Sequence, residues 1–170
     1  MTHPGPPPRY IWLPAARVRE IRGRCAVLAA VGLVASVVLA AAIVGFGRAL
    51  PTAYHPINAL VWITGSASVM GPFLSSISIG VARSHAWGEQ FDAFRMWQSR
   101  RALTGGWVSS TLFVPVSWFL LVMTARSGTR PVGFTGEVWA YLLLLAAPAV
   151  VAGVLLLAGR AVLPSAVTSR

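Results

Sequence analysis

The chain has 170 residues, 56% hydrophobic and only 11% charged, with fourteen basic residues against four acidic ones. Soluble domains carry about 25% charged residues, and a chain this short could not hide so much apolar surface in a soluble core. A water-soluble globular domain is therefore excluded, and no polar stretch is long enough to form a separate one; mean hydropathy is +0.69.

Residues 1–24 are expected to form a cytoplasmic, proline-rich tail and a basic interfacial segment. The prolines of residues 1–9 remove backbone donors and oppose helix. Tyr10 to Leu13, with Trp12 at its centre, suit a membrane interface. Pro14 is placed to open a short helix. Arg17, Arg19, Arg22 and Arg24 then form a basic collar, each contributing about 1 kcal/mol against anionic headgroups.

A four-helix transmembrane domain is expected over 25–162. Its spans are 25–47, 57–82, 107–125 and 138–159, none containing a charged side chain and each near the ~20 residues needed to cross a bilayer. The first span is too long for a signal-peptide core and reads as an uncleaved helix. Gly32, Ser36 and Ala40 recur every four residues on it, a small-xxx-small stripe that admits a neighbouring helix. The single cysteine, Cys25, excludes an intramolecular disulfide.

The second span is the least lipid-like. Ala67, Gly71 and Ser75 form one small-residue stripe; Ser68, Pro72, Ser76 and Gly80 form the adjacent one. A helix lined this way belongs at the centre of a bundle.

The inner loop, 83–106, spaces Trp87, Phe91 and Phe94 at helical intervals, with Trp97 extending the aromatic face. Asp92 and Arg95 stand three apart, as an i,i+3 pair would, with Glu89 a further polar neighbour. The pattern predicts an amphipathic helix lying in the cytoplasmic interface, ended by Thr104-Gly105-Gly106. Trp12, Arg17, Arg22, Trp87, Phe91, Phe94, Trp97, Arg100 and Arg101 are the candidates for a partner or headgroup surface.

Thr135 is placed to cap the fourth helix, with Glu137 in its first turn. That helix has a nearly pure Leu, Ala and Val face and is expected to be the most lipid-facing. A short cytoplasmic tail, 163–170, closes the chain.

Pro72, Pro115 and Pro148 fall near the middle of their spans. Each removes a backbone hydrogen bond and is a candidate kink, and each freed carbonyl needs a partner at membrane depth. Val61-Trp62 and Val138-Trp139 open the second helix of each pair, and Pro72 and Pro148 are offset almost equally. Few other residues match at that offset, which favours coincidence over a repeat.

With the N-terminus inside, eleven arginines fall on the cytoplasmic side and three, Arg48, Arg126 and Arg130, outside. The fold expected is all-α: four transmembrane helices with both termini cytoplasmic. The absence of lysine fits a GC-rich bacterial genome and hence a bacterial cell membrane. The arginines flank apolar segments as topology signals do, so nucleic acid is not an expected partner.

No ionisable residue lies within a span, which opposes proton-coupled transport. His55 and His85 bracket the second helix about 45 Å apart and cannot share a metal through it; His3 is in the tail. No phosphate loop, metalloprotease signature or nucleophile arrangement occurs, so neither enzymatic activity nor a cofactor is expected. The expected role is that of an accessory or interaction subunit that packs with itself or other membrane proteins, with membrane lipid as its other partner. The alternatives are a small transporter or channel with a path along the second helix, and a lipid-handling protein.

Overall fold

The computed structural model describes residues 10–50, 58–87, 90–127 and 136–164. A strand, Tyr10–Trp12 (β1), leads into a 35-residue helix, Ala15–Ala49 (α1). The 27-residue helix Asn58–Ser84 (α2) follows, then the strands Ala86–Trp87 (β2) and Gln90–Asp92 (β3). A 35-residue helix, Ala93–Ser127 (α3), and a 27-residue helix, Gly136–Val162 (α4), complete the chain. All four helices are long and apolar enough to cross a membrane, as in a multi-pass membrane protein. The tail 1–9, His55, Glu89, Arg130, Thr135 and residues 165–170 lie outside the described residues.

Three expectations change. First, among the described residues, the segment between the second and third spans holds no helix separate from α3. Trp87 and Phe91 lie on β2 and β3, and α3 runs without interruption through Thr104, Gly105 and Gly106. Glycine costs a helix about 1 kcal/mol, but Gly106 is where α3 meets the backbone of α2, and packing outweighs propensity. Likewise α1 begins just after Pro14 and continues into the first span as one helix. The Pro14 carbonyl accepts from Arg17 N (2.8 Å) and Val18 N (3.1 Å).

Second, Asp92 does not pair with the Arg95 side chain. Its Oδ1 accepts from the backbone N–H groups of Phe94 (3.0 Å) and Arg95 (3.2 Å), capping the start of α3. Third, α4 is not the most lipid-facing helix. The buried share of the apolar window is 22% for α1, 28% for α3, 39% for α4 and 44% for α2. Val138, Tyr141, Leu145 and Ala152 of α4 are fully enclosed. A uniform apolar face does not reveal which side a bundle will cover, because lipid and protein interior attract it alike.

The packing order explains these shares. α2 and α4 touch each other at the centre, and each also touches both α1 and α3; α1 and α3 flank them. The lengths show a repeat that residue identities do not: each helix of the second pair starts and ends 78 positions after its counterpart. A three-residue strand precedes the long helix of each pair, and the two strands join antiparallel, Ile11 opposite Phe91. Both of these central residues are buried, at 2% and 1% exposure. α1 and α3 thus enter the bundle from the same end, and the two helix pairs run in the same direction. The repeat escapes the sequence because it lives in element lengths and packing.

Two apolar clusters fill the interior. One, at the strand end, joins Val18, Ile21 and Cys25 of α1 to Ile79 of α2, Met96 and Leu103 of α3, and Leu155 of α4. The other joins Ile43, Val61, Leu121, Tyr141 and Leu145 near the opposite end. The alternating helices gather arginines from the start of α1, the end of α2, the start of α3 and the end of α4 at the strand end. Among the described residues, Arg48 and Arg126 lie in the last turns of α1 and α3, at the other end.

Candidate functional site

Two constellations of polar side chains stand out: a buried seam along α2 and an exposed basic rim at the strand end. The seam follows from small residues at heptad-like spacing. Thr64, Ser68, Gly71 and Ser75 of α2 face Ser117, Ser110 and Gly106 of α3, which runs antiparallel to it. Ser117 Oγ donates to Thr64 Oγ1 at 2.9 Å. Ser110 Oγ donates to the Ser68 carbonyl at 2.6 Å. A Cβ on Gly71 would overlap Ser110 Oγ and the Gly106 carbonyl, so the two backbones are in direct contact there.

The Ser68–Ser110 bond has a specific cause. In a regular helix the Ser68 carbonyl would accept from the N–H of residue 72, which is proline and has none. Ser110 on the neighbouring helix supplies the missing donor at membrane depth. Pro72 and Pro148 are buried, whereas Pro115 is exposed.

The other face of α2 meets α1. A Cβ on Gly32 would overlap Ser76 Oγ, and Gly80 lies beside Ala29. Ser36 Oγ donates to the Gly32 carbonyl at 2.7 Å, and Ser76 Oγ to the Pro72 carbonyl at 2.7 Å. Ala40 is partly buried against the second apolar cluster; Ala67 is also partly buried. The Ser75 hydroxyl and the Trp62 ring N–H are buried without a hydrogen-bond partner among the described residues. At the far end, Tyr141 Oη donates to the Ile43 carbonyl at 2.9 Å, tying α4 to α1. Trp118 Nε1 donates to the Leu142 carbonyl at 2.8 Å, tying α3 to α4.

The rim is built differently. Glu20 binds Arg17 and Arg24, each at 2.6 Å, so its one negative charge is shared between two arginines of the collar along α1. Arg22 and Trp12 are exposed. Phe91 is buried on β3 and unavailable to a partner. Phe94 and Trp97 stack at 6.0 Å on the outer side of α3, and the Arg101 guanidinium lies 5.3 Å from the Trp97 ring centroid. Arg100 Nη1 donates to the Leu163 carbonyl at 3.2 Å, just past the end of α4. Arg160 Nη2 donates to Thr104 Oγ1 at 3.0 Å.

Sequence reasoning missed Arg160, Thr104, Ser110 and Gly106. The first two meet across 56 positions, which local spacing cannot reveal. Gly106, Ser110 and Ser117 repeat the small-residue spacing of α2, a signal that could have found the seam. Among the described residues, no group of three His, Cys, Asp or Glu side chains could hold a metal ion. No protein-family model matches this sequence, and no match emerges among curated proteins or solved structures.

Proposed function

We propose that this chain is a non-enzymatic integral protein of a cell membrane, with both termini cytoplasmic, acting as an accessory or interaction subunit. What carries the reading is the outward face of α1. Val27, Val31, Val34 and Val38 are each about 60% exposed, at 63%, 60%, 63% and 59%. Their spacing of four, three and four is that of a helix–helix seam, and none of the described helices covers them.

A path along α2 is the weaker reading. Apart from Ser75, whose hydroxyl has no partner among the described residues, the buried α2 hydroxyls it would need are spent on carbonyls of the helix itself or on α3. Enzymatic chemistry draws no support from the described residues, whose buried polar groups are hydroxyls, an indole and the Cys25 thiol.

A photoreactive residue at Val34 tests the reading in native membranes, with one at Leu143 of α4 as comparison. The expected product from Val34 is a discrete protein adduct, either a second copy or one partner. Lipid adducts alone from Val34 would sink the proposal. Solute flux through liposomes holding only this protein, abolished by Ser75→Leu with Ser76→Leu, would shift the reading to transport. Reporter fusions at Ser99 and Thr129 test orientation: Ser99 is expected inside and Thr129 outside.

A further inference from the structure

We infer that Trp97, Arg100, Arg101, Thr104 and Arg160 form a binding site for a phosphate-bearing anion. The inference rests on the membrane-spanning fold and is independent of the accessory role.

These five residues line an open recess of about 270 Å³ between the start of α3 and the end of α4. Three guanidiniums share it. Each is steadied by one neutral neighbour: Arg100 by the Leu163 carbonyl, Arg160 by Thr104, and Arg101 by the face of Trp97. Every one of these contacts leaves other N–H groups of the guanidinium available. None of the three arginines is bonded to a carboxylate among the described residues. Glu20 is occupied by Arg17 and Arg24, Asp92 caps α3, and Glu137 lies in the first turn of α4, at the far end.

Three like charges converging on one recess repel one another, and an anion with several oxygens removes that cost. Guanidinium forks match phosphate oxygens two at a time, while the Thr104 hydroxyl, which itself donates to the Arg100 carbonyl at 3.3 Å, holds Arg160 at the recess wall. Sulfur or nitrogen ligands that would point to a metal are missing from the lining.

The depth of the recess favours a lipid headgroup as the source. Trp107 opens the apolar stretch of α3, only one turn beyond Thr104. Arg100 and Arg101 stand about 9–10 Å before it along the helix axis. Arg160 follows the last apolar turn of α4 in the same way. The recess thus lies where an apolar span ends and headgroup phosphates begin. Trp97 beside it is the amphipathic side chain that suits this layer.

The test uses the full chain purified in a neutral detergent. Native mass spectrometry would follow titration with short-chain phosphatidic acid, short-chain phosphatidylcholine and inorganic phosphate. Saturable binding of phosphatidic acid is expected, weakened roughly tenfold or more by Arg101→Gln or by Arg160→Gln. Arg95→Gln, the same loss of charge on α3 outside the recess, is expected to leave it unchanged. Arg101 is exposed and is held, among the described residues, by the Trp97 ring rather than by a hydrogen bond or ion pair, so that variant is expected to melt like the parent without ligand. Phosphatidic acid binding far more tightly than inorganic phosphate assigns a lipid source; comparable binding of both assigns a soluble phosphate to the same site. Equal weakening by Arg95→Gln, equal binding of phosphatidylcholine, or no saturable binding of any probe would overturn the site.

Discussion

The pairing of Pro72 with Ser110 can be tested by making the hydroxyl unnecessary. Ser110→Ala removes the donor that satisfies the Ser68 carbonyl, while Pro72→Ala restores the N–H that a regular helix would direct at that same oxygen. A buried polar group left without a partner costs about 1–3 kcal/mol. Interhelical hydrogen bonds in membranes average about 0.6 kcal/mol and reach about 1.7. The Ser68–Ser110 bond belongs near the upper value, because it is short, fully buried and has no backbone donor to fall back on. Ser110→Ala alone is therefore expected to destabilise the bundle by about 1–1.5 kcal/mol. In the Pro72→Ala background the same change is expected to cost under about 0.5 kcal/mol, since the Ser68 carbonyl then has its own helical partner. The coupling, about 1 kcal/mol, is read from a double-mutant cycle by unfolding the detergent-solubilised protein with increasing dodecyl sulfate. An equal cost of Ser110→Ala in both backgrounds would refute the assignment of Ser110 to the proline-freed carbonyl.

The remaining predictions concern glycines and the far end of the bundle. Gly106→Val is expected to abolish the folded state, because its Cβ would press on Ser75 and on the Gly71 carbonyl. Gly45→Val, which meets nothing within 4 Å, should leave the melting temperature nearly unchanged; similar melting of the two variants would contradict the α2–α3 contact. Gly105→Ala also adds a Cβ in open space, outside the apolar span, and should stabilise α3 by about 0.5–1 kcal/mol; a loss of stability would show that α3 does not run through this position. Tyr141→Phe removes the bond to the Ile43 carbonyl and should cost about 0.5–1.5 kcal/mol in the same unfolding assay. No change there would mean that α4 and α1 are not joined at this point.

Much of the fold was legible because lipid imposes a simple rule: a span must be apolar, uncharged and about twenty residues long. The four segments obey it, and α1 to α4 contain them, apart from residue 57, which lies outside the described residues. The inner loop was less legible. Trp87, Phe91 and Phe94 have helical spacing, yet Phe91 is recruited to a strand by pairing with Ile11, eighty positions earlier. Such a partner leaves no trace in local periodicity. The candidate residues divide in the same way. Gly71, Ser75 and Ser76 could be marked as packing residues from their size and spacing, but which helix each one meets depended on the packing order. Arg100 and Arg101 could be marked as basic, but their recess is completed by Arg160 from the far end of the chain.

The sequence by itself determined that this chain has four apolar, charge-free spans and how its arginines are distributed among the intervening segments. Those properties depend on transfer of side chains from water to an apolar medium, which each residue carries with it wherever it sits. Only the tertiary structure decided that α2 and α4 form the central pair, and that Ile11 pairs with Phe91 so that α1 and α3 enter from the same end. It alone decided that Ser110 answers Pro72, and that three arginines converge beside Trp97. Each of these is a contact between segments remote in the chain. Inside a membrane such contacts turn on close shape fit and on single hydrogen bonds rather than on hydrophobicity.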